Sequence, residues 1–177
     1  MPNKVEIRIS GLGGQGIILA GQILGRAAVY DGKNTVQTQS YGAEARGTTA
    51  KSEVIISDGE IGFPAIRKCA ALIVMNQEAT EKNIKDLKKA GILLIDSSNV
   101  KKIPKINAKI FKISATEIAE TSFGQKVYAN MIMLGALTKI TNIISEESME
   151  KAIRDIVPEK SIAVNIKAFK RGKSLQN

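Results

Sequence analysis

The feature that most constrains this chain is a strand, a glycine-rich turn and a helix in succession near its start. Residues 5–10 are predicted to form a short strand, 11–16 a glycine-rich loop and 17–30 a helix. Glycine permits sharp turns and close approach of another group, and the free N–H groups that begin a helix attract anions. This unit opens many α/β folds, so the loop is predicted either to pack the helix against a sheet or to hold a ligand.

The rest of the chain alternates between predicted strands and helices. Further strands are predicted at 34–41, 50–57, 70–75, 92–95 and 109–113. Further helices are predicted at 77–90, 115–122, 125–140 and 146–156, with a last helix that carries the stripe Ile162, Ile166 and Phe169. This order predicts one α/β domain over residues 1–177, Rossmann-like and three-layered, with a largely parallel sheet and helices on both faces.

Three helix predictions carry further expectations. Gly91 is expected to cap the carboxyl end of helix 77–90, and Ser114 with Glu117 fits a capping box for the next helix. Helix 125–140 is apolar on most faces, so it is expected to be buried in the domain or to lie under a partner. In the second case a homodimer of the isolated chain would cover it.

Composition excludes several kinds of chemistry. The 177 residues contain no histidine and one cysteine, so no internal disulfide, thiolate cluster or histidine base is available, and no metal site is expected. Cys69 has basic neighbours that could lower its pKa, but the start of a buried strand favours an inert thiol. Asp58 and Asp96 end strands, where turn and cap roles explain them as well as functional ones.

The chain is basic, with a formal net charge of +9. Such a charge suits nucleic acid, an acidic partner or an anionic cofactor, although lysines spread over helix faces are more simply solvated. The first residues lead directly into a strand and no apolar run approaches 18 residues, so a cytoplasmic location without membrane insertion is expected.

The glycine loop matches the dinucleotide pattern G-x-G-x-x-G through Gly11, Gly13 and Gly16. A dinucleotide site also needs an acidic residue near the end of the second strand, and residues 37–39 there are all uncharged. Ile17 and the next isoleucine stand where a P-loop has lysine and serine or threonine. Two interpretations stay open: a phosphate cradle, and a tight turn that packs the helix onto the sheet.

The packing interpretation has support on the helix itself. Gly21 and Gly25 lie four residues apart, which would let a neighbouring element approach closely.

Four segments, in the same order along nearly the whole chain, resemble the gamma subunit of 2-oxoacid:ferredoxin oxidoreductases, the pyruvate:ferredoxin oxidoreductase domain III family. These are the glycine loop 11–16, residues 39–47, residues 52–57 and residues 130–137. Within them Ser-Tyr-Gly-Ala-Glu-Ala-Arg-Gly is the most specific, and the short chain is most similar to the 2-oxoglutarate type. One departure is Thr48, where the family often has a second glycine after the Arg-Gly pair.

The resemblance implies a complex with alpha, beta and delta-type subunits that converts a 2-oxoacid to its acyl-CoA and reduces ferredoxin or a similar carrier. It places thiamine diphosphate and the iron–sulfur cluster in the partner subunits. This chain would then have no catalytic residue of its own and would serve assembly and the coenzyme A side.

The residues expected to contact coenzyme A lie in the glycine loop and in the second segment. They are Gly11, Gly13, Gly14, Gln15, Gly16, Tyr41, Gly42, Glu44, Arg46 and Gly47. Arg46 offers a planar guanidinium suited to phosphate. The alternative is that residues 41–47 form a subunit-docking loop, with Glu44 and Arg46 paired across the interface.

Two other classes of protein remain as alternatives. One is a stand-alone nucleotide-binding Rossmann-like domain, which the missing ribose-binding acid disfavours. The other is a basic nucleic-acid-binding protein, which the 4% aromatic content and the absence of a nucleic-acid motif disfavour.

Overall fold

A computed structural model describes residues 3–42 and 48–175. The strands in the described part are β1 (Lys4–Leu12), β2 (Asn34–Tyr41), β3 (Thr49–Ser57), β4 (Cys69–Val74), β5 (Leu87–Asp96) and β6 (Ala108–Ile113). The α-helices there are α1 (Ile17–Tyr30), α2 (Gln77–Asn83), α3 (Ala115–Phe123), α4 (Ala129–Thr141), α5 (Glu146–Ile156) and α6 (Ile162–Ser174).

The strands form one six-stranded sheet in the order β2-β3-β1-β4-β5-β6. The strands β1, β4, β5 and β6 pair in parallel, whereas β3 is antiparallel to both of its neighbours, β1 and β2. Only β3 therefore runs against the others, and the predicted α/β fold with a largely parallel sheet is confirmed.

Each face of the sheet carries its own apolar core. One face presents Ile7, Ile9 and Ile73 to a large cluster that the helices α1, α3, α4, α5 and α6 cover. The opposite face presents Leu72 and Leu93 to a smaller cluster. The turn after α2 and the loops after β3 and β5 cover this cluster. Strand β4 and residues 91–96 of β5 are buried on both faces, as their continuous apolar runs predict.

The predicted helix 77–90 is wrong in its second half. Helix α2 ends at Asn83, a 3₁₀ turn follows, and β5 already begins at Leu87. The buried Arg8 side chain explains this end, because it bonds Asn83 and lies 2.7 Å from an Asp86 carboxylate oxygen. Gly91 is consequently a residue of β5 and not a helix cap.

Arg8 also ties the turn after α2 to the sheet. Its guanidinium lies 2.7 Å from a carboxylate oxygen of Glu53 on β3, so one side chain bridges three elements. Burial alone lowers the pKa of Arg8, but the bonds to Asp86 and Glu53 raise it above its ordinary value.

Helix α4 is buried within this chain and is not an exposed partner surface. Residues 129–138 are all buried, and α4 crosses α6 at close range. Of the two expectations for the apolar segment, burial in the domain is confirmed. A homodimer that covers this helix is wrong, because the chain's own helices already do so.

The helix predicted from Ser114 is present as α3, but the capping box is wrong. The Ser114 hydroxyl makes no cap and lies 3.1 Å from the Ser97 hydroxyl. Asp96, at the end of β5, accepts the Thr116 N–H and hydroxyl instead, and the Ser98 hydroxyl accepts the Glu117 N–H. The Asp96 side chain, at the end of β5, therefore caps the amino end of α3.

The remaining helix predictions are confirmed, except that the helix predicted from residue 125 begins only at Ala129, after a 3₁₀ turn. The Ser145 hydroxyl accepts the Ser148 N–H at 3.2 Å and begins α5, and Phe169 of α6 is fully buried.

Candidate functional site

The connections out of β1 and β4 lie on opposite faces of the sheet. Helix α1 follows β1 and covers the face of Ile7 and Ile9. Helix α2 follows β4 on the other face, where its Asn83 amide donates to the Ser10 hydroxyl at 3.1 Å. The carboxyl ends of β1 and β4 therefore flank a topological switch point, which is where open α/β sheets form a crevice.

The glycine-rich segment at this point is shorter than the sequence suggests. Gly11 and Leu12 still belong to β1 and pair with Ala50 and Thr49 of β3. The chain turns only after them, with Gly14 at φ 92° and Gly16 at φ 70°. Residues 13–16 are called the glycine turn below.

The Gln15 side chain holds the glycine turn to the sheet. Its carbonyl oxygen accepts the Leu12 N–H at 2.7 Å, and its Nε2 donates to the Met75 carbonyl at 3.2 Å. The amide therefore bridges the carboxyl ends of β1 and β4 directly. In this structure Gln15 shapes the crevice, and a ligand would meet the main chain around it.

Two of the glycines are required by neighbouring side chains. A Cβ added at Gly11 would lie 2.5 Å from Gln15 Oε1 and 2.7 Å from Ile17 Cδ1. At Gly16 the left-handed backbone is combined with a close approach of Asn130 from α4, whose Nδ2 donates to the Gly16 carbonyl at 3.1 Å. Gly11 and Gly16 therefore serve the packing of the turn.

The other two glycines face open space. A Cβ at Gly14 would meet no described atom within 4 Å, and at Gly13 it would meet only the Thr48 carbonyl, at 3.7 Å. Gly14 needs its glycine for the positive φ alone. At Gly13 neither a positive φ nor a close neighbour among the described residues demands glycine. The main chain at Gly13 and Gly14 is thus exposed at the mouth of the crevice.

The described residues on either side of 43–47 are linked to the glycine turn through Thr48. The Gly13 N–H donates to the Thr48 carbonyl at 2.9 Å, and the Gly42 N–H donates to the Thr49 carbonyl at 3.1 Å. A Cβ at Gly42 would lie 2.9 Å from the Thr48 Cβ, so a glycine is needed there too. Tyr41 is 63% exposed at the end of β2.

The structure therefore brings together part of the predicted site. The glycine turn, Gly42 and Thr48 lie at the end of the sheet where β1 and β4 have their carboxyl ends. The predicted contacts Glu44, Arg46 and Gly47 lie outside the described residues.

The amino end of α1 suits an anion. The amino end of α1 has no acidic residue in its first turn and no side chain that caps it. Lys82 of α2 reaches across and donates to the Thr49 hydroxyl at 3.3 Å while it pairs with Glu78 at 2.5 Å. Hydrogen bonds from Lys82 and Thr49 lower the pKa of Glu78. The first N–H groups of α1 can therefore bind an anion without repulsion from a carboxylate in the same turn.

Gly21 and Gly25 confirm the packing interpretation for the helix itself. A Cβ at Gly21 would overlap the hydroxyl of Ser52 on β3, and Gly25 lies against Thr35 and Gln37 of β2. Helix α1 thus lies directly on the two strands that precede and follow residues 43–47.

Other candidate groups have structural roles. Cys69 is fully buried, so the expected buried thiol is confirmed, and burial raises its pKa to about 11. Asp96 is buried and caps α3, whereas Asp58 lies in an exposed turn, 3.8 Å from Lys33 Nζ. No group of three or more metal-ligating side chains occurs within residues 3–42 and 48–175.

Asn130 is a site residue that residue-level reasoning missed. Its side chain is 98% shielded and joins the start of α4 to the end of the glycine turn. A signal was present, since Asn130 begins the fourth segment of the family resemblance.

The fold and the crevice define an α/β chain with a glycine turn at a switch point and no described metal-binding cluster. The family model for "Pyruvate ferredoxin/flavodoxin oxidoreductase" matches residues 6–175. The chain belongs to this family, and the predicted resemblance is confirmed. Among the described helices, none is long and apolar enough to cross a membrane.

Three relatives show the range of the similarity. The 2-oxoglutarate synthase subunit KorC of Methanocaldococcus jannaschii is 52% identical over 172 residues, which are 96% of this chain and 92% of that subunit. The crystal structure of a keto/oxoacid ferredoxin oxidoreductase gamma subunit from Geobacter sulfurreducens is 47% identical, with a TM-score of 0.85 over 95% of each chain.

The third relative carries the same fold as part of a longer chain. The 2-oxoglutarate:ferredoxin oxidoreductase of Magnetococcus marinus, solved with 2-oxoglutarate, coenzyme A and succinyl-CoA bound, is 26% identical with a TM-score of 0.87. The match covers 97% of this chain and 30% of that one.

Proposed function

We propose that this chain is the gamma subunit of a complex that converts 2-oxoglutarate and coenzyme A to succinyl-CoA and carbon dioxide, with reduction of ferredoxin. The observation that carries the proposal is the near full-length match to a 2-oxoglutarate synthase subunit at 52% identity. The stand-alone nucleotide-binding domain is not favoured, because the relatives are subunits of multi-subunit oxidoreductases.

The redox chemistry is assigned to partner chains. Complexes of this family use thiamine diphosphate and iron–sulfur clusters, and the described part of this chain has no group of three or more metal-ligating side chains. We place thiamine diphosphate and the clusters in alpha, beta and delta-type subunits. The cytoplasmic location of the chain stays a prediction. This chain would contribute to assembly and to the binding of coenzyme A.

The glycine turn fits the phosphates of coenzyme A. Gly13 and Gly14 leave the main chain open, and the first N–H groups of α1 have no side-chain cap. An anion approaching this edge would meet main-chain donors and the positive end of a helix. Coenzyme A would supply the thiol that accepts the acyl group, while the turn binds and orients its phosphates.

Arg46 is proposed to complete the phosphate contact. Its guanidinium can make two parallel hydrogen bonds to a phosphate, and Thr48, which follows residues 43–47, lies beside Gly13. The competing role is subunit docking through Glu44 and Arg46.

Purification of the native complex tests the proposal. A tagged copy of this chain should co-elute with thiamine- and cluster-containing subunits, and the complex should reduce ferredoxin with 2-oxoglutarate in preference to pyruvate and 2-oxoisovalerate. A chain that elutes alone would refute the subunit role, and preference for another 2-oxoacid would correct the substrate.

Arg46 variants separate phosphate binding from docking. With Arg46→Ala the complex should stay intact and the KM for coenzyme A should rise about tenfold or more, whereas Arg46→Lys should recover part of the loss because the charge remains. A complex that falls apart with Arg46→Ala supports docking instead, and an unchanged KM in an intact complex removes Arg46 from both roles.

A further inference from the structure

The outer edge of β2 is a long, regular strand edge. All eight residues of β2 pair with β3 in one unbroken antiparallel register, from Asn34 opposite Ser57 to Tyr41 opposite Ala50. No described strand lies beyond β2. Such an edge is a template for a further strand unless charge, proline or a bulge protects it.

The hydrogen-bond pattern shows which residues face outward. The Gly42 N–H donates to the Thr49 carbonyl, so the even-numbered residues of β2 direct their main chain toward β3. The odd-numbered residues therefore direct their N–H and C=O groups to the open side. These are Thr35, Gln37, Gln39 and Tyr41.

The two edges of the sheet differ in charge. The other edge strand, β6, has six residues and carries exposed Lys109 and Lys112, which is a common protection against strand addition. Strand β2 has eight residues with no charge and no proline. In a chain with a net charge of +9, the side chains of β2 add no like-charge repulsion to a contact between two copies, and Arg26 of α1 is the charged residue that lines the groove beside it.

A groove and an exposed aromatic residue lie on the same face of this edge. The groove, of about 410 Å³, runs between α1 and β2 and is lined by Gly25, Val29 and Thr35 among others. The Thr35 hydroxyl is buried there without a hydrogen-bond partner, and Val29 is 53% exposed. Tyr41, 63% exposed, lies on the same face as Thr35 because side chains alternate along a strand.

We propose that β2 pairs antiparallel with β2 of a second copy of this chain, about a twofold axis at Thr38. In this register Thr38 faces itself, Gln37 faces Gln39, and Thr35 faces Tyr41 of the second copy. The outward main-chain groups of both copies then meet as hydrogen-bonded pairs. Each exposed Tyr41 lies over the groove of the other copy, beside the unpartnered Thr35 hydroxyl.

The occupant is a second copy because this strand supplies both halves of the contact. The aromatic residue and the groove that receives it lie six residues apart on β2, at equal distances from the proposed axis. The interface would join two six-stranded sheets and also use Tyr41, so coenzyme A would be left to the glycine turn and the residues after Tyr41. The inference does not rest on the proposed function.

The mass of the full chain in solution tests the pairing. Sedimentation should give twice the 19.0 kDa of one chain. Gln39→Pro removes only an outward N–H, so it should leave the far-ultraviolet circular dichroism unchanged and raise the dimer dissociation constant at least about tenfold. Gln39→Lys should act similarly, and the matched Ile110→Lys on β6 should leave the dimer intact.

Cross-linking tests the register. Thr38→Cys should form an intermolecular disulfide under mild oxidation, because residues that face each other across a non-hydrogen-bonded pair have Cα atoms about 4.5 Å apart. Ser40→Cys is the matched control, since its two copies would lie roughly 13 Å apart. Buried Cys69 should not interfere.

Several results would overturn the proposal. They are a chain that stays monomeric at all concentrations, a dimer that survives Gln39→Pro, and equal cross-linking at positions 38 and 40. Protection of β2 only by a different subunit, in a complex where the isolated chain is monomeric, would assign the edge to that subunit instead.

Discussion

Two groups of glycines in this chain do opposite things. At the crossing of α4 and α6, a Cβ at Gly135 would overlap the Phe169 carbonyl, and one at Gly172 would overlap the Ile132 carbonyl. At the glycine turn, a Cβ on Gly14 would meet no described atom within 4 Å. The first group lets two helices touch through their backbones, and the second leaves backbone accessible to something outside the chain.

The glycines of a single motif can therefore have different roles. Within G-x-G-x-x-G, Gly11 and Gly16 belong with the packing group because side chains of this chain lie against them. Gly13 has no such neighbour among the described residues. The ligand hypothesis therefore rests on Gly13 and on the main chain around it, and not on the motif as a whole.

The largest expected effect is at the helix crossing. Gly135→Ala should lower the free energy of unfolding by about 2–3 kcal/mol, because the added methyl group overlaps main-chain atoms that cannot move independently. Urea denaturation measures this loss. Gly62→Ala is the matched control, since a Cβ there meets no described atom, and it should change stability by no more than about 0.5 kcal/mol. Equal losses from both variants would contradict the division of the glycines.

A smaller loss is expected where Gln15 joins the turn to the sheet. Gln15→Ala leaves the Leu12 N–H and the Met75 carbonyl without their partner, which should cost about 1–2 kcal/mol. Gln22→Ala, on the exposed side of α1, should cost less than about 0.5 kcal/mol. If Gln15→Ala leaves stability unchanged but weakens coenzyme A binding, the amide contacts the ligand and does not hold the turn.

At Gly13 the effect should appear in binding and not in stability. Gly13→Ala should change the free energy of unfolding by no more than about 0.5 kcal/mol, since the nearest described atom would lie at 3.7 Å. In the assembled complex it should raise the KM for coenzyme A about tenfold, because the methyl group occupies space at the phosphates. An unchanged KM would show that the open main chain has no ligand there.

The smallest expected effect concerns the carboxyl end of α1. There Asp31 accepts hydrogen bonds from the start of α5. Asp31 accepts the Ser145 N–H at 2.7 Å and the Ser148 hydroxyl at 2.6 Å. Burial alone raises the pKa of Asp31, but these bonds outweigh burial and lower it. The folded state therefore binds this proton less readily than the unfolded state, and the stabilisation is lost as pH falls through the lowered pKa.

Asp31→Asn checks this assignment. The wild-type advantage over the variant should shrink by well under about 1 kcal/mol between pH 6 and pH 3, because the carboxylate is only partly buried and solvent screens it. Chemical denaturation at both pH values measures it. An advantage that grows as the pH falls would contradict the sign.

Local sequence patterns predicted the elements whose signals are local. The bounds of α1 and β2 were predicted as observed, because a glycine turn, helix periodicity and a turn at Asp31–Lys33 mark them within a few residues. The stretch 84–90 was predicted as helix because Ile84 and Leu87 fit the apolar face of a polar helix. In the structure it bends into β5, with Ala90 at φ 58° and its N–H bonded to the Asn107 carbonyl.

The site was only partly predictable because local sequence patterns do not show contacts between distant residues. The glycines were found by their spacing, but the bridge from Gln15 to Met75 spans 60 residues and the bond from Asn130 to Gly16 spans 114. No local pattern records such pairs. The Asp96 cap of α3 is another case, since the carboxylate is 20 residues from the Thr116 it holds.

Hydrogen exchange in the assembled complex shows whether coenzyme A binds at the glycine turn. Exchange at the amides of residues 13–19 should slow when coenzyme A is added, while the amides of α4 at residues 129–141 should be unaffected and serve as the internal control. Protection of the glycine turn by coenzyme A is the predicted result. Identical exchange with and without coenzyme A would contradict the account and leave the turn as a packing element only.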